Sequence, residues 1–263
     1  MSVQGYWSDL QSSAFSDLPS DAIAVLPIGA TEQHGPHLPL SVDSDLVSAL
    51  VTRFLPLLEP DQNVLVLPRM SVSRSGEHDR HPGTLSLSTD TLLFVLRDIG
   101  ASVDRAGVSR LVLLNGHGGN TSVLDAVSRE LRIAHGLIVV QCSWFGFAEY
   151  GGLIDENALA VDLHAGDTET SAMLATRPDL VDMEKADNFV PAMVSWQQRN
   201  QFIGLTGEAA RPGWIIDDLN IQGACGDASK ATAEKGDLLL DSAARNFVLF
   251  LKEFASFDHR GGE

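Results

Sequence analysis

The chain has 263 residues, 44% hydrophobic and 20% charged, an ordinary globular balance that fits one large α/β domain or two small ones. Its 18 Lys and Arg against 35 Asp and Glu leave a formal net charge of −17, which repels nucleic-acid phosphates and anionic lipid, so neither nucleic acid nor a membrane is an expected partner. Two cysteines, Cys142 and Cys225, give no disulfide framework; with no basic or apolar leader at the start and no apolar run near the ~18 residues that span a bilayer, the expectation is a cytoplasmic protein.

In chain order, residues 22–29 (AIAVLPIG) read as a first buried strand, followed by GATEQHGPHLPLSVDSD, residues 29–45. Pro36 and Pro39 make that segment a loop. A helix follows over 43–58, with Leu46, Leu50 and Phe54 on one face. A second strand, 63–70 (NVLVLPRM), leads into the polar loop 73–87 and then a helix over 88–107, on which Leu92, Val95, Leu96, Ile99 and Val103 align. The third strand, 110–116, ends in NGHGGN (115–120) and a helix to Gly136; the fourth, 137–144, ends at Trp144. A further helix is expected after DLHAGDTETSAML (162–174), capped by Asp167 or Thr168, and a last one near the C-terminus aligns Leu240, Ala244, Phe247 and Leu251. Residues 187–220 show no clean period and suit an active-site flap or a subunit contact.

Strands that are apolar throughout, alternating with helices, predict a parallel sheet covered on both faces. With no repeat or linker, a single domain over 1–263 is expected. The polar clusters fall after the strands, and in open α/β sheets ligands bind at the carboxyl ends of strands, so the clusters should converge on one pocket. NGHGGN lacks the spacing of a dinucleotide fingerprint and the Lys of a P-loop, which leaves His117 as a functional imidazole beside a tight turn. Glu32, His34, Asp43, His117, His164 and Glu169 together form an oxygen and nitrogen donor set for one or two divalent ions, Zn²⁺, Mn²⁺ or Fe²⁺. A carboxylate such as Asp43 bridges two ions, and a water between them becomes a nucleophile near neutral pH.

Four of these segments, 29–45, SGEHDRHPGTLSL (75–87), NGHGGN and HAGDTETS (164–171), resemble the signature segments of the creatininase (creatinine amidohydrolase) family, with a weaker likeness over 226–236. The resemblance implies an α/β/α sandwich, commonly a homohexamer, with a two-metal site that hydrolyses amide-type C–N bonds. By motif it implies that Glu32, Asp43 and His117 hold one ion, that His34 and the bridging Asp43 hold the other, and that His164 is the catalytic proton shuttle. Creatininase proper resembles NGHxEN in the third segment, and its Glu is the remaining ligand of the second ion; Gly119 stands there in this chain. Glu169 is the candidate replacement on chemical grounds. Trp144 matches one of the two tryptophans that flank the flat substrate of creatininase proper; the other is missing from ALAVDL before His164, so creatinine is not the expected substrate. Branches with an NGHGGN segment include a deformylase of a flavin-pathway intermediate and a peptidase of a redox-cofactor precursor; ring-opening hydrolases of cyclic sugar-derived ketones also resemble the group.

The expected function is metal-dependent hydrolysis of a small amide, lactam or formamide, with a metal-held hydroxide attacking the carbonyl and His164 protonating the leaving nitrogen. Glu77 and His78 either bind the substrate or form an exposed polar turn. Two other readings stand beside it, a metal-binding relative without turnover and a nucleotide-binding α/β protein built around NGHGGN.

Overall fold

The structure is a computed structural model and describes residues 3–205 and 208–259; the ends of the expected domain and Met1 and Ser2 of the leader reading lie outside the described residues. The four aliphatic runs become strands β2 (Ile23–Ile28), β3 (Val64–Val66), β4 (Arg110–Asn115) and β5 (Ile138–Ser143), joined at one edge by β1 (Gln4–Tyr6). The order is β1-β3-β2-β4-β5, and every neighbouring pair is parallel. β1 has no hydrophobic signature; it follows Val64–Val66 in register, its Gln4 amide bonding back to the Glu59 and Gln62 carbonyls.

Alternate residues of the central strands feed two cores, which is why the runs are apolar throughout. Ile23, Val25, Val112 and Leu114 pack with helices α1 (Val42–Phe54), α5 (Asp167–Thr176) and α8 (Ala233–Ser256); α4 (Glu156–Leu159) borders this side. Ala24, Leu26, Leu111 and Leu113 pack on the other face with α2 (Thr89–Arg105) and α3 (Thr121–His135). The architecture is therefore a three-layer α/β/α sandwich, as expected. Leu46, Leu50 and Phe54 of α1 are fully buried, each stabilising the helix by roughly 1.5–3 kcal/mol relative to exposure. On α2 the buried stripe is Leu92, Leu96, Gly100 and Val103; Val95 and Ile99 are only partly covered.

The described residues of 187–220 form short elements: β6 (Asn188–Phe189), paired antiparallel with β7 (Gly226–Asp227), then α6 (Met193–Arg199) and α7 (Ile216–Leu219). They enclose a small core of Met193, Ile216, Leu219 and Cys225, flanked by Trp196 and Trp214. Cys142 and Cys225 are free thiols. Among the described residues no helix is long and apolar enough to cross a membrane.

Candidate metal centre

Because all five strands run the same way, the segments after β2, β4 and β5 emerge at one end of the sheet. The loop after β2 brings Glu32 and His34 there, pinned by backbone bridges Thr31 to Leu85 and His34 to Leu38. The first turn of α1 adds Asp43, the turn after β4 adds His117, and the start of α5 adds Glu169. Glu32, His34, Asp43, His117, His164 and Glu169 are all buried. Their ligand atoms form overlapping groups within 4.8 Å: Glu32, Asp43 and His117; His34, Asp43 and Glu169; and Glu32, His34 and His164.

The far nitrogen of each imidazole fixes what the near one can do. His34 Nδ1 lies 3.1 Å from the Glu32 carbonyl and His117 Nε2 2.9 Å from the Arg74 carbonyl. A carbonyl only accepts, so both nitrogens are donors and the opposite nitrogens of the neutral rings are bare lone pairs. Those lone pairs face carboxylates: His34 Nε2 is 3.4 Å from Asp43 and 3.9 Å from Glu169, and His117 Nδ1 is 3.0 Å from Glu32 and 3.6 Å from Asp43. Both Glu32 carboxylate oxygens, His34 Nε2 and Asp43 Oδ2 are buried without a hydrogen-bond partner. Buried acceptors aimed at one another are costly unless a cation stands between them, so the donor set fits divalent ions, and its backbone ties are those that orient metal-binding imidazoles.

Protons answer the same demand. Burial opposes charging His34, yet Asp43, Glu169 and Glu32 push its imidazole up to about 9. His117 is raised well above the usual value, burial again opposing and Glu32 dominating the attraction. Burial and the nearby Asp43 raise the Glu169 carboxyl to about 7, against the pull of His34.

His164 is poised differently. Its Nε2 donates to the Gln33 carbonyl at 2.8 Å, and its Nδ1 points inward, 3.8 Å from Glu32. Burial, His34 and His78 hold it well below the ordinary imidazole value, so it is neutral with an open lone pair. The Gln33 amide donates to the Gly223 carbonyl at 2.9 Å and to His78 Nδ1 at 2.7 Å, which leaves the His78 Nε2–H directed at Glu32, 3.6 Å away. Gln33 escaped the sequence reading, although its position between Glu32 and His34 was a usable signal.

Glu77 and His78 are buried rather than an exposed turn, and both line a cavity of about 770 Å³ outside the centre. Glu77 is paired with Arg74 at 2.9 Å and lies 3.5 Å from His117 Nε2. A Cβ at Gly119 would overlap both Glu77 Oε1 and His117 Nε2, so Glu77 fills the space a side chain at 119 would need. Trp144 departs from its expected place beside the substrate: it is fully buried in the core, stacked on Phe145 at 4.2 Å. Phe145 and Tyr150 instead line an inner cavity of about 400 Å³ with Asp43, His164 and Glu169. The start of α5 is capped by neither Asp167 nor Thr168. Asp162 accepts from the Thr168 N–H at 2.9 Å, while Asp167 pairs with Lys235. Glu169 Oε2 accepts from the Ala165 N–H at 2.6 Å, so it holds the preceding turn while facing His34.

Comparison with known proteins places these features. The family model described as creatininase, creatinine amidohydrolase, matches residues 8–251. A mycofactocin precursor peptide peptidase of Mycobacterium ulcerans (strain Agy99) is 37% identical over 191 residues, 70% of this chain and 71% of that protein. A creatinine amidohydrolase of Pseudomonas putida is 32% identical over 249 residues, 89% of this chain and 90% of that one. A solved mutant creatininase of Zn-Zn type superposes with a TM-score of 0.73 at 28% identity, covering 97% of this chain and all (100%) of the other.

Proposed function

The chain belongs to the creatininase family of metal-dependent hydrolases, and from that premise we propose that it cleaves an amide, lactam or formamide C–N bond of a small molecule with two divalent ions per subunit. The observation that carries this reading is the set of partnerless buried acceptors on Glu32, His34 and Asp43. Glu32, Asp43 and His117 would hold one ion, and His34, Asp43 and Glu169 the other, with Asp43 shared. The mixed imidazole and carboxylate donors suit Zn²⁺, Mn²⁺ or Fe²⁺. When bound, such ions acidify water and polarise a carbonyl.

The remaining work belongs to the chain. Neutral His164 has an open Nδ1 with which to take a proton from the attacking water and return it to the leaving nitrogen. Gln33 holds the His164 and His78 rings in their tautomers. The His78 Nε2–H supplies a donor beside the centre, and Glu77 borders the entrance. Phe145 and Tyr150 give the inner cavity an aromatic wall in place of Trp144, which argues against a flat creatinine sandwich.

A second reading, a peptidase acting on a precursor peptide, has its own support. The outer cavity of about 770 Å³ exceeds what a single small ring fills, and the 37% identical relative is a peptidase by name. The chain is also proposed to be a homo-oligomer, because the outer strand β5 is half-exposed along its length and Ile133 and Ile221 are 85% and 84% exposed. Light scattering tests that assembly.

The test of function is metal analysis of the purified protein, then reconstitution with Zn²⁺, Mn²⁺ or Fe²⁺ and a screen of lactams, formamides, linear amides and short peptides. Two ions per subunit and metal-dependent hydrolysis of one class are expected. Tight metal binding without turnover of any class would leave a metal-binding relative instead.

A further inference from the structure

The outer cavity runs from His117 and His164 to a wall made by Arg211, Pro212 and Trp214. Most charges on its lining are already matched. Arg74 is paired with Glu77 at 2.9 Å, and Asp125 with Arg129 at 3.0 Å. Arg211 makes no hydrogen bond or ion pair among the described residues. It is a lone guanidinium at the entrance to the centre, in a chain with 35 acidic and 18 basic residues. The inner cavity is the opposite: Asp43, Asp162 and Glu169 line it, and no Lys or Arg does.

We propose that Arg211 binds an anionic group of the substrate, a carboxylate or a phosphate, in the outer cavity, so that the preferred substrate is an amide bearing a negative charge away from the scissile bond. The inference rests on the preceding reading that the chain hydrolyses an amide-type C–N bond at the metal centre beside His164. A protein of net charge −17 repels anions at long range, so an anionic substrate needs a local cation to be held. A guanidinium suits the task because its planar fork meets a carboxylate or phosphate with two parallel hydrogen bonds. A neutral lactam or formamide would leave that fork without a role. Trp214 and Leu205 line the same cavity and give the remainder of such a substrate an apolar surface.

The test titrates Zn²⁺-loaded protein by calorimetry with matched probes. Glutaramate and glutaramide differ in replacing one carboxylate by a neutral amide, and N-formyl-O-phosphoethanolamine and N-formylethanolamine differ in replacing a phosphate by a neutral hydroxyl. Each anionic probe, or one of the two, should bind about tenfold or more tightly than its neutral match, as expected for hydrogen bonds to a charged group. In Arg211→Gln that ratio should shrink to about threefold or less, and Arg211→Lys should restore only part of it. The probe with the larger ratio identifies carboxylate or phosphate as the recognised group. Equal affinity of neutral and anionic probes in the native protein overturns the proposal, as does the failure of every anionic probe to bind. A preference that survives in Arg211→Gln also overturns it, since the anion then sits on the ions. Hydrolysis of the probes is read separately. Turnover without charge preference removes the role of Arg211 and leaves the amidohydrolase reading; an Arg211-dependent preference with no turnover of any amide supports the anion site and counts against that reading.

Discussion

At the scale of single residues, the centre depends on hydrogen bonds from the far side of each imidazole as much as on the ligands themselves. Gly119 shows the consequence. The NGHxEN pattern that this segment resembles has a Glu here as a metal ligand, so adding one to this chain is an obvious way to try to reinforce the site. The geometry opposes it while Glu77 and His117 keep their places, because the Cβ alone would overlap the Glu77 carboxylate and His117. Gly119→Ala is therefore expected to displace Glu77, tilt His117 and weaken metal binding by roughly 10–100-fold, the usual cost of disturbing such outer partners. Competition with a chelating dye measures it, and unchanged affinity would refute the packing account. His164→Ala should behave differently. With Nε2 tied to the Gln33 carbonyl and Nδ1 open, loss of a proton shuttle should lower kcat by about 10²–10⁴ while both ions remain. Loss of an ion in that variant would make His164 a ligand, a role its place beside Glu32 and His34 also permits. The candidate ligands were legible because His and carboxylates are rare together in Gly- and Pro-rich loops. Arg74 and the burial of Trp144 were not, since an exposed-looking arginine and an indole carry no such compositional mark, and Gln33 was marked only by its place between two candidate ligands.

At the scale of elements, the strands and long helices were legible because each buries a continuous face. What escaped was held by partners distant in sequence: the three residues of β1 aligned on β3, and the short pieces between 187 and 220 gathered around Met193 and Ile216. The crossing of α5 and α8 is another such case, and it matters for the centre because α5 carries Glu169. A Cβ at Gly236 of α8 would overlap the Ser171 carbonyl and come within 2.9 Å of Ala172 Cα, so the two helices meet backbone to backbone. Alanine would gain about 1 kcal/mol of helix propensity, but it must push α8 away from rigid backbone, a loss of roughly 1–3 kcal/mol or more. Gly236→Ala should thus be destabilising overall and should weaken the Glu169 side of the metal centre. Gly100→Ala is the control. The atoms it would meet belong to the Leu131 side chain and not to backbone, so its cost in urea unfolding should be smaller. Equal destabilisation by the two would mean that helix packing tolerates neither contact and that backbone proximity is not the cause.

At the scale of the whole molecule, two kinds of electrostatic strain coexist, and cations relieve them differently. The surface strain is diffuse: a net charge of −17 disfavours the compact state, and any salt screens it over a Debye length of about 8–10 Å. The strain at the centre is local, since three carboxylates, Glu32, Asp43 and Glu169, are buried together beyond the reach of mobile ions. Ions that bind only the folded chain add stability by mass action, about 2.7 kcal/mol per site at a free concentration of 100 Kd. For a chain of this size that corresponds to a rise in Tm of roughly 5–10 °C. Zn²⁺ or Mn²⁺ at micromolar concentration should therefore raise Tm, and a chelator should reverse it. Mg²⁺ at the same concentration should not, because it prefers oxygen donors and two of the five proposed ligands, His34 and His117, are imidazoles. Asp43→Ala separates the two strains. It removes the shared ligand, so the transition-metal shift should vanish, while the apo protein should be no less stable than the native one because a buried carboxylate facing Glu32 has gone. Sodium chloride should still stabilise both apo proteins alike. Differential scanning calorimetry of native and Asp43→Ala chains, with and without each cation, reads all of these shifts. A Zn²⁺ shift retained in Asp43→Ala would mean that the stabilising ions sit elsewhere on the acidic surface and that the buried cluster is not their site.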